Sequence, residues 1–173
     1  MSKIRIFIYA IYAVLALIVT CSYFLPNTYQ INKSILINSA PDKIHYYVGN
    51  LDNWPEWSLW LKQDPSLNIQ VLQPTGKGAS QRWQGTSGKG SLTFIREDKW
   101  YGIDYDLIID NNPPSRAGIH YILEDSSTLV EWVISGKVDI PIAGPFMALL
   151  MDSFLGGVLQ DNLENLKHVV ENN

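Results

Sequence analysis

Cysteine is nearly missing from this chain. Its single cysteine, Cys21, falls inside an apolar leader. The rest therefore has no disulfide framework, no cysteine-based metal cluster and no cysteine nucleophile. Basic charge is scarce too, with 13 Lys and Arg against 17 Asp and Glu, a net of −4. Lys3 and Arg5 precede the leader, and without them residues 27–173 carry 11 basic against 17 acidic side chains, a net of −6. An acidic domain argues against a nucleic-acid partner and against a polybasic headgroup-binding surface. There is no internal repeat, no low-complexity run and no nucleophile-elbow serine. Ser87-Gly88-Lys89-Gly90 lacks the phosphate-loop pattern and falls between strands, where it reads as a hairpin turn. His45, His120 and His168 lie on different elements, none with a partner at metal-ligand spacing, and each reads as a solvated surface histidine. No metal site and no cofactor is expected.

What the chain does have begins with that leader. From Ile6 to Leu25 it is apolar apart from Tyr9, Tyr12, Thr20, Ser22 and Tyr23. Twenty helical residues span roughly 30 Å, the thickness of a bilayer's hydrocarbon core. Pro26-Asn27 ends the run, and Tyr23 and Phe24 suit the far interface. A cleaved signal peptide has a shorter apolar region followed by a small-x-small site, and Cys21-Ser22-Tyr23-Phe24-Leu25-Pro26 offers none. Leu17-Ile18-Val19-Thr20-Cys21 faintly resembles a lipoprotein box, with Thr20 large for its place. The expected division is a transmembrane signal anchor over residues 1–26 and one domain over 27–173. Lys3 and Arg5 should keep the N-terminus cytoplasmic and put the domain outside the cytoplasm, periplasmic or extracellular in a bacterium.

Within the domain, alternation over Tyr29–Asn38 predicts a half-buried strand. Ser39-Ala40-Pro41-Asp42 opens a helix, with Ser39 as candidate cap. A second short helix carries Asn53-Trp-Pro-Glu-Trp-Ser-Leu-Trp60, in which Trp54, Trp57 and Trp60 recur every third residue. Six short strands follow over Leu67–Gln73, Ala79–Gln84, Ser91–Arg96, Gly102–Asp110, Ala117–Glu124 and Thr128–Lys137. Short loops join them, so they pair antiparallel as a meander. Gly144–Asn173 closes the chain as a helix with a broad apolar stripe. Pro141, Gly144, Pro145 and Asp152 argue against Ile140–Leu159 as a second membrane span. Gly156-Gly157 marks a bend or a close approach. The class is α+β: a curved antiparallel sheet of about seven strands must wrap the long helix to bury its apolar face.

In this order, Ile35-Leu36-Ile37-Asn38-Ser39-Ala40-Pro41, Leu51-Asp52-Asn53-Trp54 with Trp57 and Trp60, Gly76-x-Gly78, Trp83-x-Gly85, Gly88-x-Gly90, Thr128-Leu129-Val130-Glu131-Trp132 and Leu163-Glu164-Asn165-Leu166-Lys167 resemble the START-like, or SRPBCC, superfamily. The resemblance covers 27 to about 171 and points to its polyketide cyclase/dehydrase and lipid-transport group. It implies a helix-grip fold with an apolar cavity between sheet and long helix, holding a lipid or other hydrophobic small molecule. It fixes no reaction, because fold does not fix function.

The expected cavity lining is Trp54, Trp57, Trp60, Trp83, Phe94, Tyr105, Tyr121, Trp132 and Phe154. Amphipathic rings tolerate both an apolar guest and water, and two tyrosine hydroxyls would orient it. Asp104, Asp106, Asp110 and Glu131 alternate outward, as does Arg82, whereas Arg96 is a candidate partner for a ligand carboxylate. A cyclase or dehydratase would need a buried acid–base pair, for which only Glu56 with Tyr105 or Tyr121 can be assembled. A structural domain with a filled core is the third reading. Neither ligand identity nor oligomeric state is legible in the sequence.

Overall fold

Seven strands pair in the order β1-β7-β6-β5-β4-β3-β2, all antiparallel, in a computed structural model that describes residues 3–110 and 112–173. The elements run α1 (Lys3–Phe24), β1 (Thr28–Ile37), α2 (Pro41–Val48), a 3₁₀ turn (Leu51–Asn53), α3 (Trp54–Trp57), α4 (Trp60–Gln63), β2 (Asn68–Gln73), β3 (Ser80–Gly85), β4 (Gly88–Asp98), β5 (Gly102–Ile109), β6 (Ser115–Glu124), β7 (Ser127–Lys137) and α5 (Ala143–Asn172). Consecutive strands from β2 to β7 are hairpin neighbours because their connections are too short for anything else. β1 then pairs with the last strand, from Thr28 opposite Lys137 to Ile37 opposite Thr128. The arrangement is the helix-grip fold that the element order implies.

Two local expectations change. Ser39 does not cap α2; Ala40 takes the extended N-cap position and Pro41 the first turn. The Ser39 carbonyl instead accepts from the Thr128 hydroxyl at 2.7 Å, tying the start of α2 to β7. Gly156-Gly157 does not interrupt α5, which continues as one helix to Asn172. Gly156 leaves room for Lys33, whose Cε would lie 2.7 Å from an added Cβ and which crosses to Asp152 with a 2.9 Å ion pair.

α5 runs alongside β1 in the same direction. Asp152 meets Lys33, the Leu36 carbonyl accepts from Lys167 Nζ at 2.8 Å, and Glu171 accepts from the Asn38 backbone N–H at 2.7 Å. Its inner stripe, Leu159, Leu163, Leu166 and Val170, packs on the sheet's buried residues, among them Phe94, Ile103, Ile119 and Val130. Each such side chain contributes about 1.5–3 kcal/mol through removal from water. Trp54 and Trp57 extend this core, each with its indole N–H satisfied by a carbonyl of α2, Val48 at 2.9 Å and Tyr47 at 3.1 Å.

One irregularity decides which side chains reach the inner face. The β4–β5 register slips between Phe94 and Arg96, so Ile95 is an extra residue. Such a bulge reverses parity beyond it. Arg96 therefore pairs with outward Asp104, and Glu97 with buried Ile103.

α1 meets the length and composition of a membrane-crossing helix, and α5 does so as well. They differ in burial. Along α1 every residue from Lys3 to Thr20 is exposed, whereas α5 buries a continuous inner stripe.

Candidate functional site

The register defines two ends of the grip. One end holds Thr28, Lys137, Ser115, Ile109 and Gly90, where the chain enters from α1. The other holds Ile37, Thr128, Glu124, Asp98 and Gly102, roofed by α2.

At the entry end a groove of about 400 Å³ separates sheet from helix. Tyr105, Leu107 and Ile109 of β5 and Trp132 and Ile134 of β7 form its floor, with Trp83 of β3 and Trp60 of α4 on one wall. Leu155, Val158 and Leu159 of α5 form the other wall, and Leu67, Asp64 and Ser87 sit at the rim. Strand parity explains the floor: inward residues alternate along β5 and β7 toward the strand ends. The Trp83 ring lies across Gly90, where an added Cβ would collide with it, and stands 5.5 Å from the Trp60 ring.

Polar groups in this groove are few. The Trp132 indole N–H donates to the Tyr105 hydroxyl at 2.9 Å. No acceptor for the hydroxyl's own hydrogen lies among the described residues. Burial pushes the Tyr105 pKa far above its ordinary value of 10.0, so this group stays a neutral donor. At the rim Asp64 accepts from the backbone N–H of Ser66 at 2.9 Å and of Ser87 at 3.0 Å, and from both serine hydroxyls. Those hydrogen bonds, Ser66's first, hold its carboxyl far below the usual carboxylate range. The rim thus carries a fixed negative charge with its lone pairs already used.

The other end is closed and polar. His45 Nε2 meets the Glu97 carboxylate at 2.5 Å and His45 Nδ1 meets the Tyr121 hydroxyl at 3.3 Å. Burial first, then the nearby Glu97 charge, raises the Tyr121 pKa well above 10.0. On the outer face His120 Nε2 stands 2.8 Å from Asp104 and 3.2 Å from the Tyr101 hydroxyl, and the Arg96 guanidinium lies 3.5 Å over the Tyr101 ring. His45 and His120 are therefore not solvated surface histidines, contrary to expectation. The bulge at Ile95 brings Glu97 to His45, and register alone brings Asp104 to His120. His168 is exposed, as expected.

Of the nine expected lining residues, Trp60, Trp83, Tyr105 and Trp132 come together in the groove. Trp54 lies on a separate cleft of about 480 Å³ beyond Trp60, between α3 and β2. Trp57 and Phe94 are wholly buried in the core away from the groove, Tyr105 and Trp132 are equally buried but lie directly beneath its floor, and Tyr121 belongs to the closed end. Phe154 is corrected outright: it is 62% exposed on the outer face of α5. It stands about 140° around the helix from inward Leu159, given 3.6 residues per turn. Glu56 is exposed, and the hydroxyls of Tyr105 and Tyr121 are engaged by Trp132 and His45, so the expected acid–base set does not assemble. Arg82 is exposed as expected, and Arg96 is exposed beside Tyr101 away from the groove. The aliphatic lining at Leu67, Ile109, Leu155 and Val158 was missed, although parity from Tyr105 reaches Ile109. Among the described residues no three His, Cys, Asp or Glu side chains gather as metal ligands would.

No protein-family profile matches the chain, and no curated protein matches it. Solved structures do. Norcoclaurine synthase from Thalictrum flavum, a point mutant in complex with a transition-state analogue, aligns at TM-score 0.60 and 13% identity over 83% of this chain and 94% of that one. Ara h 8.0201 aligns at 0.58 and 12% over 84% and 99%. A Thermobifida fusca protein aligns at 0.61 and 16% over 82% and 92%. At such identities the likeness is one of fold: a helix-grip domain.

Proposed function

We propose that this chain is a membrane-anchored binding module for a hydrophobic small molecule, held in the groove between sheet and α5. One observation carries the reading. Half-buried Trp60 and Trp83 and several aliphatic side chains bound about 400 Å³ of space at one end of the sheet, over a floor that includes the wholly buried rings of Tyr105 and Trp132. Ligand sites are typically apolar hollows of roughly 300–1,000 Å³ with a few placed polar groups. The neutral Tyr105 hydroxyl suits a carbonyl, ether or hydroxyl oxygen on the guest. The ionised Asp64 at the rim disfavours a free carboxylate, so the favoured guest is a neutral lipid-like molecule rather than a fatty acid anion. Norcoclaurine synthase in its analogue complex is consistent with a fold that accommodates a small organic molecule, but it transfers no chemistry to this chain.

The anchor is α1. Its 22 residues reach about 33 Å as helix, enough to span, and its apolar side chains are exposed to whatever surrounds it. Lys3 and Arg5 favour a cytoplasmic N-terminus.

The test uses the full chain in detergent. A neutral probe, pyrene-labelled decanol, should quench tryptophan emission and be recovered by mass spectrometry of the extracted protein, while pyrene-labelled decanoate binds at least about tenfold more weakly. Empty protein with unquenched emission at probe saturation overturns the binding reading. Retention of the intact chain in carbonate-washed membranes, with a reporter after Asn173 active outside the cytoplasm, checks the anchor; a mature chain beginning after Leu25 overturns it.

A further inference from the structure

Only three residues, Leu25 to Asn27, separate α1 from β1. Extended, they reach at most about 10 Å, so the entry end of the grip is held against the bilayer surface if α1 spans it. The segment after β7 is fastened to the same point: the Val138 backbone N–H donates to the Asn27 carbonyl at 2.9 Å. α5 begins five residues later and touches α1.

The outward face of α5 changes character along its length. In the first half it presents Met147, Leu150 and Phe154, all exposed at a spacing of three and four residues. Exposed Ile140 and Ile142 precede them on the connecting segment. In the second half the outward residues are Asp161, Glu164, His168 and Glu171. An apolar outer face confined to the tethered half of one helix is the pattern of an interfacial helix, not of a solvated one. Tyr23 and Phe24, almost fully exposed at the end of α1, suit the same headgroup level. The stripe also leads into the groove: Val158, one turn beyond Phe154, is part of its wall.

We propose that the first half of α5 lies in the headgroup–acyl boundary of the bilayer that holds α1, with Met147, Leu150 and Phe154 inserted, so that the groove opens onto lipid and exchanges its guest there. The inference rests on the anchored reading of α1. The lipid need not be anionic. The neighbouring cations Lys33 and Lys137 are already paired with Asp152 and Asp139, and the domain is acidic. Docking is therefore hydrophobic and insensitive to salt.

The test places a nitroxide at Phe154→Cys, and separately at Leu123→Cys, in a full-length Cys21→Ser chain reconstituted in phosphatidylcholine nanodiscs. Leu123 is equally exposed but lies at the closed end of the sheet. The label at 154 should relax several-fold more with dissolved oxygen than with a water-soluble nickel chelate, the label at 123 the reverse, with both unchanged in high salt. Equal, water-like relaxation at both positions overturns the proposal. So does a label at 154 shielded from both reagents, which would mean a protein partner or second copy covers the stripe. Pyrene-decanol quenching on the same labelled chains separates the two readings. Quenching with a water-exposed label sinks the docking alone, and a lipid-exposed label without quenching sinks the binding reading alone.

Discussion

The two ends of one sheet have opposite fates. Both present the same inward alternation of large side chains, yet the α2 end is packed shut and the end near α1 is hollow. At the closed end Trp54 and Trp57 fill the space below α2, and His45 stitches Glu97 to Tyr121 across the rest. At the open end α5 offers half-buried Leu155 and Val158 to a floor of Tyr105, Leu107 and Ile134, with the groove between them among the described side chains. Aromatic content does not separate them, since each end has its tryptophans. What separates them is whether a second layer of helix stands over the strand ends.

That contrast predicts where stability and binding reside. The largest effect should come from Trp57→Ala, which empties a fully buried site and should cost about 3–5 kcal/mol in denaturant unfolding of the full chain. Trp83→Ala, half-buried on the groove wall, should cost less than half as much while weakening pyrene-decanol binding at least about tenfold, read by tryptophan quenching. Equal destabilisation by the two would mean that the groove is structurally a core. Next comes His45→Ala, which leaves Glu97 and Tyr121 without their shared partner and should cost about 1–3 kcal/mol, with probe affinity unchanged. Val158→Trp should do the opposite, filling the groove and abolishing probe binding with stability altered by less than about 1 kcal/mol.

Acid and base should give smaller, separable effects. Tyr101, Tyr105 and Tyr121 all have raised pKa values, the two deeply buried ones, Tyr105 and Tyr121, the most, so the folded state holds their protons more tightly than the unfolded chain does. Their contribution is complete below pH 10 and is lost as pH rises above it. A thermal-unfolding series should turn downward there, with at least Tyr105 and Tyr121 still protonated by ultraviolet absorbance. Asp64 has the opposite sign: its contribution is present above the ordinary carboxylate range and lost as pH falls through and below it. Asp64→Asn should flatten the acid limb of the same series, the smallest change of all because that carboxyl is exposed.

Much of the fold was legible because it is written in local periodicity. Alternation over β1 and β7 and glycine turns between short strands fixed the meander, and a single long apolar stripe fixed α5. Half of the candidate groove's lining was legible for the same reason: parity alone sends Trp83, Tyr105 and Trp132 inward. Phe154 misled because an apolar residue on a helix reports no direction by itself, and here the outer face is apolar too. Glu97 was hidden by the bulge at Ile95, which flips parity without a glycine or proline to announce it. His45 and His120 looked isolated because their carboxylates lie 52 and 16 residues away in sequence.

By itself the sequence determined the classes of element, their antiparallel order and the apolar leader, since each follows from the spacing of apolar residues over a few turns or strand pairs. Tertiary structure alone decided which inward rings meet one another and which face a void. That depends on how closely α5 and the α2–α4 segment approach the sheet, and approach is set by contacts between residues a hundred positions apart, such as Lys33 with Asp152 across Gly156, to which no local pattern is sensitive.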